Sequence, residues 1–281
     1  MFWVITRHMI SEKKNISSHT DLADRECVIS IRDLYKSFDT NHVLIDFNLD
    51  LHKGESIVVL GKSGSGKSVL IKCIIGLLQP DSGVIEVFGQ DIAELDHVSL
   101  DKIRARVGFL FQSNALYDSM TVRGNLEFPL RRHWIKLAQA DVDAMVLKAL
   151  DDVGLAETID MMPEELSGGM RKRIALARTL ILQPEIILYD EPTTGLDPVT
   201  GQEIIDLIIT IQKKYNTASL IISHDMNCVA TAGDKVIMLI EGKCYADGTY
   251  AELQQNTDPK VQMFFKHNSK IIPPHGKTNS K

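Results

Sequence analysis

From Val28 onward, short apolar blocks bounded by Gly, Pro, Asp and Lys alternate with longer stretches of helical period. Val28-Ile-Ser-Ile31 alternates as a strand with one buried face does, and a second strand is expected over 43–51, closed by Lys53-Gly54-Glu55. Ser56-Ile-Val-Val-Leu60 is continuously apolar, the mark of a parallel strand covered on both faces, and it runs into a glycine-rich stretch. The next apolar segment, 69–78, predicts a buried helix stopped by Gln79-Pro80-Asp81-Ser82-Gly83. Strands are expected at 84–88 and 107–111. Residues 113–165 change character: 122–130 and 141–153 have helical period and no convincing strand intervenes. After a helix over 171–182, strands at 186–189, 218–222 and 235–240 alternate with helices at 201–214 and 226–232. The simplest arrangement is an α/β core interrupted by a helical insert.

The flanks differ from this body. Residues 1–27 are polar and unpatterned and read as a flexible leader; Met9 is an alternative start. The tail from Pro259 carries five lysines and no acid. The expected division is a leader at 1–27, one large domain at 28–257 with a helical subdomain at about 113–170, and a basic C-terminal extension at 258–281. The chain has 281 residues, 44% of them apolar and 24% charged, and a net charge of −6. An acidic balance argues against broad nucleic-acid binding. No stretch reaches the roughly 20 apolar residues that span a bilayer, and the opening Met1-Phe-Trp-Val-Ile-Thr6 is too short for a secretory signal. Cys27, Cys73, Cys228 and Cys244 lack metal-ligand spacing and read as reduced, buried thiols of a cytosolic protein.

Candidate chemistry begins where the third strand ends. Gly61-Lys62-Ser63-Gly64-Ser65-Gly66-Lys67-Ser68 satisfies G-x-x-x-x-G-K-[ST]. Its glycines let backbone amides curl around phosphates, and the next helix directs its N-terminus at the anion. Lys67 is placed to reach the β and γ phosphates, and the Ser68 hydroxyl to ligate Mg²⁺. Downstream, the apolar run from Ile186 ends in Asp190-Glu191. In a phosphate-loop protein Asp190 is expected to hold Mg²⁺ through water, and Glu191 to polarise the attacking water as general base. Leu166-Ser167-Gly168-Gly169-Met170 opens a further helix, a second potential anion site. The chain already has one phosphate loop, so this second N-terminus is expected to serve another molecule's nucleotide.

The ordered set of phosphate loop, Gln112, LSGG, Asp190-Glu191 and His224 resembles the ATP-binding-cassette (ABC) transporter ATPases. Ser167 lies 100 residues beyond Lys67, and Asp190 lies 21 beyond Gly169, as in that family. The resemblance covers residues 28 to about 255. It implies an α/β fold with a P-loop NTPase (RecA-like) core, an ABC-type antiparallel β subdomain and an inserted α-helical subdomain. It implies ATP and Mg²⁺ as ligands, with a phosphate cradle running from Gly61 through Val69. Phe38 would stack on adenine, and Ser167, Gly168, Gly169 and Asp197 would contact the nucleotide and loop of a second subunit. Gln112 would sense Mg²⁺, and His224 would contact the γ-phosphate. Catalysis would fall to Glu191, His224, Lys67 and Gln112, and metal binding to Ser68, Gln112 and Asp190. Met170 stands where the family usually has Gln.

The family also implies partners: a second copy joined head to tail, and an integral membrane permease whose cytoplasmic helix seats on the helical insert. Gly66-Lys-Ser-Val-Leu70, Phe111 through Val122, Leu166 through Met170, Glu191 through Asp197 and Asn256 through Phe265 are similar to ATPases of bacterial lipid-trafficking systems with MCE-domain proteins (the Mla type). That branch implies phospholipid transport, an MCE-domain lipid-binding partner and a peripheral place on the cytoplasmic face of the inner membrane. The alternatives are an ABC ATPase for another cargo, such as amino acids or lipoproteins, and a soluble non-transport ABC ATPase. The latter usually carries a long heptad insert or two cassettes, and neither is present in this sequence.

Overall fold

A computed structural model describes residues 25–132 and 137–266. Most of the expected leader, and 267–281 of the expected extension, lie outside the described residues. Along the chain come β1 (Cys27–Phe38), β2 (Asn41–His52), β3 (Ser56–Leu60), α1 (Lys67–Ile74), β4 (Ser82–Val87), β5 (Gln90–Asp91), α2 (His97–Ala105) and β6 (Val107–Leu110). The helical stretch holds α3 (Val122–Arg132), α4 (Gln139–Asp152) and α5 (Gly168–Leu180). Then follow β7 (Ile186–Asp190), α6 (Pro198–Tyr215), β8 (Ala218–Ser223), α7 (Met226–Ala232), β9 (Lys235–Ile240), β10 (Lys243–Gly248), α8 (Tyr250–Gln255) and α9 (Pro259–Lys266).

The strands form two sheets. A six-stranded sheet has the order β10-β9-β3-β8-β7-β6, parallel except for β10 at its edge. An antiparallel sheet has the order β2-β1-β4-β5. Every residue of β3, β7 and β8 is buried, as their predominantly apolar sequences led one to expect. Alternation along these strands divides the core in two. Val58, Leu60, Ile187, Tyr189 and Ile221 face α3–α7, while Ile57, Val59, Ile186, Leu188 and Ile222 face α1 and the antiparallel sheet. Val122, Leu126, Val146 and Leu150 of the helical insert belong to the first of these cores.

Several elements differ from expectation. The helix α1 stops at Ile74 instead of Leu78, because Gly76 turns left-handed (φ 66°) and Leu77 N–H bonds back to the Lys72 carbonyl. α2 was not evident in the sequence: only Ile103 is buried, and its start is set by Asp96, whose carboxylate accepts the Ser99 N–H at 2.7 Å. Nor was β10, which turns back from β9 through Glu241 and Gly242, both at positive φ. The basic extension is not uniformly loose. Asp258 caps the start of α9, and Val261 and Phe265, one helical turn apart, are buried in the first core.

Candidate functional site

The C-terminal ends of β3, β7 and β8 are adjacent in one parallel sheet, so the loops that follow them converge. Loops at the carboxyl edge of such a sheet are where α/β proteins place ligands. The β3 loop is the glycine-rich one. Gly64 and Gly66 adopt left-handed angles (φ 79° and 99°), and a Cβ at Gly66 would lie 2.7 Å from the Val43 carbonyl oxygen. Only glycine serves there. Lys67 is 5% exposed; its Nζ donates to the Gly61 and Lys62 carbonyls at 2.8 and 3.0 Å, folding the side chain back over its own loop.

Two carboxylates face this loop from β7. The Ser68 hydroxyl donates to Asp190 Oδ1 at 3.0 Å. Burial holds the Asp190 carboxyl above the usual carboxylate range; the Ser68 bond opposes this and the neighbouring Glu191 adds to it. Ser68 and Asp190 together offer two hard oxygen donors, a set that fits Mg²⁺, which keeps waters and substrate phosphates for its remaining positions. Among the described residues no cluster of three or more His, Cys, Asp and Glu could hold a metal by itself.

Glu191 leaves the strand at φ 50°, a left-handed conformation that strains a non-glycine residue by roughly 1–3 kcal/mol. Its backbone N–H still bonds to the Ile222 carbonyl of β8, so the turn is anchored. The side chain thereby lies between Lys67 Nζ, 3.3 Å from Oε1, and His224 Nδ1, 2.7 Å from Oε2. Thus Lys67, Ser68, Asp190, Glu191 and His224 meet in one place. Phe38 ends β1 and is 44% exposed, with Lys36 Nζ 5.3 Å from its ring centroid. Val69 lies in α1, half-buried against the second core.

The LSGG segment is elsewhere. Ser167 caps α5 by accepting the Met170 N–H at 3.2 Å, and Asp197 caps α6 by accepting the Val199 and Thr200 N–H groups. Ser167, Gly168, Gly169 and Asp197 line one open cleft of about 430 Å³ that contains no phosphate-loop residue. Gln112 is exposed just beyond β6, next to β7 in the sheet. Another cavity, about 460 Å³, is lined by Phe111, Tyr117, Phe128 and Arg132, at the seam between sheet edge and insert. Its lining comes from both the core and the insert.

Lys172 also bears on this region, although no motif marks it. It occupies an apolar stripe of α5 with Leu176 and Leu180 and is 1% exposed. Its Nζ donates to the Gln112 carbonyl at 2.9 Å and the Phe111 carbonyl at 3.4 Å. Burial pushes its pKa down to about 8, with the Asp190 carboxylate acting the other way. A charged residue at a core position of the helical repeat was the available signal.

A family model described as ABC transporter matches residues 44–194. The chain belongs to the ABC transporter family. Comparison with known proteins gives the same family along most of its length. It is 40% identical over 253 residues to the "Probable ribonucleotide transport ATP-binding protein mkl" of Mycobacterium leprae, covering 90% of this chain and 72% of that protein. It is 39% identical over 224 residues to the intermembrane phospholipid transport system ATP-binding protein MlaF of Haemophilus influenzae, covering 80% of this chain and 84% of that protein. Among solved structures, the ATP-binding cassette MJ0796, a dimer in a post-hydrolysis state bound to ADP and Pi, superposes with a TM-score of 0.72. That pair shares 29% identity over 79% of this chain and 98% of the other. The resemblance read from the motifs and the P-loop α/β fold are thus both borne out, and the chain is an ABC-type ATPase.

Proposed function

We propose that two copies of this ATPase close head to tail over two ATP molecules and so power phospholipid movement through a membrane permease. The observation that carries the dimer is the separation of the two clusters: Lys67, Ser68, Asp190, Glu191 and His224 share one site, while Ser167–Gly169 and Asp197 line another cleft. One chain holds half of each composite site, and a two-fold rotation supplies the missing halves. The similarity to a phospholipid-transport ATPase of which 84% is covered favours lipid as cargo, together with the resemblance of Leu166–Met170 and Phe111–Val122 to the Mla-type branch.

In this reading Lys67 and the loop amides of Gly61 through Val69 hold the ATP phosphates, and Phe38 stacks on adenine. The Lys67–Glu191 contact then gives way to a Lys67–phosphate contact. Ser68, Asp190 and Gln112 hold Mg²⁺, which neutralises charge on the phosphates. Glu191 takes a proton from the attacking water, and His224 fixes the carboxylate while facing the γ-phosphate. In the partner copy, Ser167, Gly168 and Gly169 donate to the same phosphates, and Asp197 lies across the interface. The aromatic groove at Phe111, Tyr117 and Phe128 receives a permease helix, which holds the chain on the cytoplasmic face of a bacterial inner membrane although no described helix could cross it. An MCE-domain protein completes the assembly.

The test is isolation of the chain with its partners from gently solubilised membranes, followed by identification of the proteins and bound lipids. A multispanning permease with enriched phospholipid is expected. Recovery with ribosomes or DNA, or with a permease carrying ribonucleotides, would reject the assignment.

A further inference from the structure

The loop after β6 is held in an unusual way. Four of its peptide carbonyls point at a single helix, α5. Lys172 Nζ donates to the Phe111 and Gln112 carbonyls, and six residues further along the same helix Arg178 donates to the Asn114 carbonyl at 3.0 Å and the Ala115 carbonyl at 2.7 Å. A planar guanidinium fork matches two successive carbonyls, and an ammonium tucked beneath the strand end meets two more. The backbone accommodates this grip at a cost, because Asn114 and Ala115 both sit at left-handed angles (φ 63° and 53°). Beyond the grip, Asn125 of α3, fully buried, accepts the Tyr117 N–H at 2.8 Å and donates to the Tyr117 carbonyl at 3.1 Å. The loop bearing Gln112 is therefore tied to α5, and its continuation at Tyr117 to α3, by side chains bonded to its backbone.

The helix that grips this loop is also the helix capped by Ser167 and opened by Gly168 and Gly169. Lys172 is buried and Arg178 half-buried, and cations so placed and bonded to backbone resist separation, since pulling them apart leaves carbonyls and a charge without partners. Loop and helix must move as one body. We infer that Lys172 and Arg178 are positioning residues that bind the Gln112 loop to α5, so that engagement of α5 with one nucleotide sets Gln112 against the other. Phe111, Ala115 and Tyr117, which line the aromatic groove, lie in or next to the same gripped segment. A ligand in that groove would thus act on both nucleotide sites through the same two cations. This inference rests on the proposed role of Gln112.

A double-mutant cycle on steady-state ATP hydrolysis by the full-length chain tests it. Gln112→Ala and Lys172→Met should each lower kcat, by about tenfold, with KM for ATP changed much less. Combined, they should do little more damage than Gln112→Ala by itself, because Lys172 acts through Gln112. Lys172→Arg, which keeps the cation and its donors, should recover most of the turnover. Multiplying losses in the double variant would overturn the inference while leaving the role of Gln112 intact. An equal loss in Lys172→Arg, or a lower melting temperature with kcat unchanged in Lys172→Met, would also overturn it. A silent Gln112→Ala would overturn both readings. If Lys172→Met does not fold, Arg178→Lys, which keeps the charge but loses the fork, enters the same cycle with the same expectations.

Discussion

Glu191 Oε2 lies 2.7 Å from His224 Nδ1, across the gap between the ends of β7 and β8. The left-handed backbone at Glu191 brings the carboxylate there, and Lys67 holds its other oxygen. A carboxylate fixed by two neighbours beside a phosphate-binding loop has little freedom to lose when it accepts a proton. Glu191→Gln keeps shape and removes basicity. It should lower turnover by about a hundredfold or more while ATP still binds, as read by hydrolysis rate alongside equilibrium nucleotide binding. Turnover within a few-fold of the original would exclude Glu191 as the base.

The N-terminus of α5 can be tested apart from the phosphate loop. A Cβ at Gly169 would come within 2.7 Å of Thr200 Cγ2, so a side chain there must push into the cleft beside Asp197. Introduced with Glu191→Gln, Gly169→Asp should leave nucleotide binding by single chains unchanged and abolish ATP-driven dimers in size-exclusion chromatography. Dimers that persist would remove this cleft from the proposed interface.

Phe265 and Val261 anchor α9 in the same core as β3 and β8. Phe265→Ala should cost about 3 kcal/mol of stability from lost burial and the cavity left behind. Truncation after Asp258 removes both anchors and should cost at least as much. Urea unfolding measures both; an unchanged midpoint would mean that α9 contributes nothing to the fold.

Lys172 makes stability depend on pH. Its pKa of about 8 in the folded chain lies below the ordinary 10.5, because burial disfavours the ammonium. Between these values the unfolded chain holds more protons than the folded one, so this group's contribution to stability rises with pH. The stability difference between the native chain and Lys172→Met should move in favour of the native chain by about 2 kcal/mol from pH 8 to pH 10. A difference constant over that interval would contradict a lowered pKa at Lys172.

Much of the fold could be read locally. Short apolar runs such as Ile57–Leu60 and Ile186–Leu188 announce buried parallel strands, since a strand covered on both faces has no solvent side to which polar residues would alternate. Elements whose exposure is high or whose composition misleads could not be read this way. α2 buries one residue, β10 alternates weakly at a sheet edge, and α9 sits in a lysine-bearing tail. Its anchors, Val261 and Phe265, show no more than one helical spacing.

By itself the sequence determined the phosphate loop, the order of the motifs and the α/β alternation, because each depends on near neighbours: glycines at fixed offsets, apolar runs, capping residues. Tertiary structure alone decided which distant residues meet. Ser68 and Asp190 are 122 positions apart, and the loop at Phe111–Ala115 reaches its cations some 60 positions later. Strand order in the sheet sets such meetings, and strand order depends on how whole layers pack rather than on any local pattern. The separation of the two candidate clusters, the glycine-rich loop with Asp190 and Glu191 in one place and Ser167–Gly169 with Asp197 in another, arises in the same way.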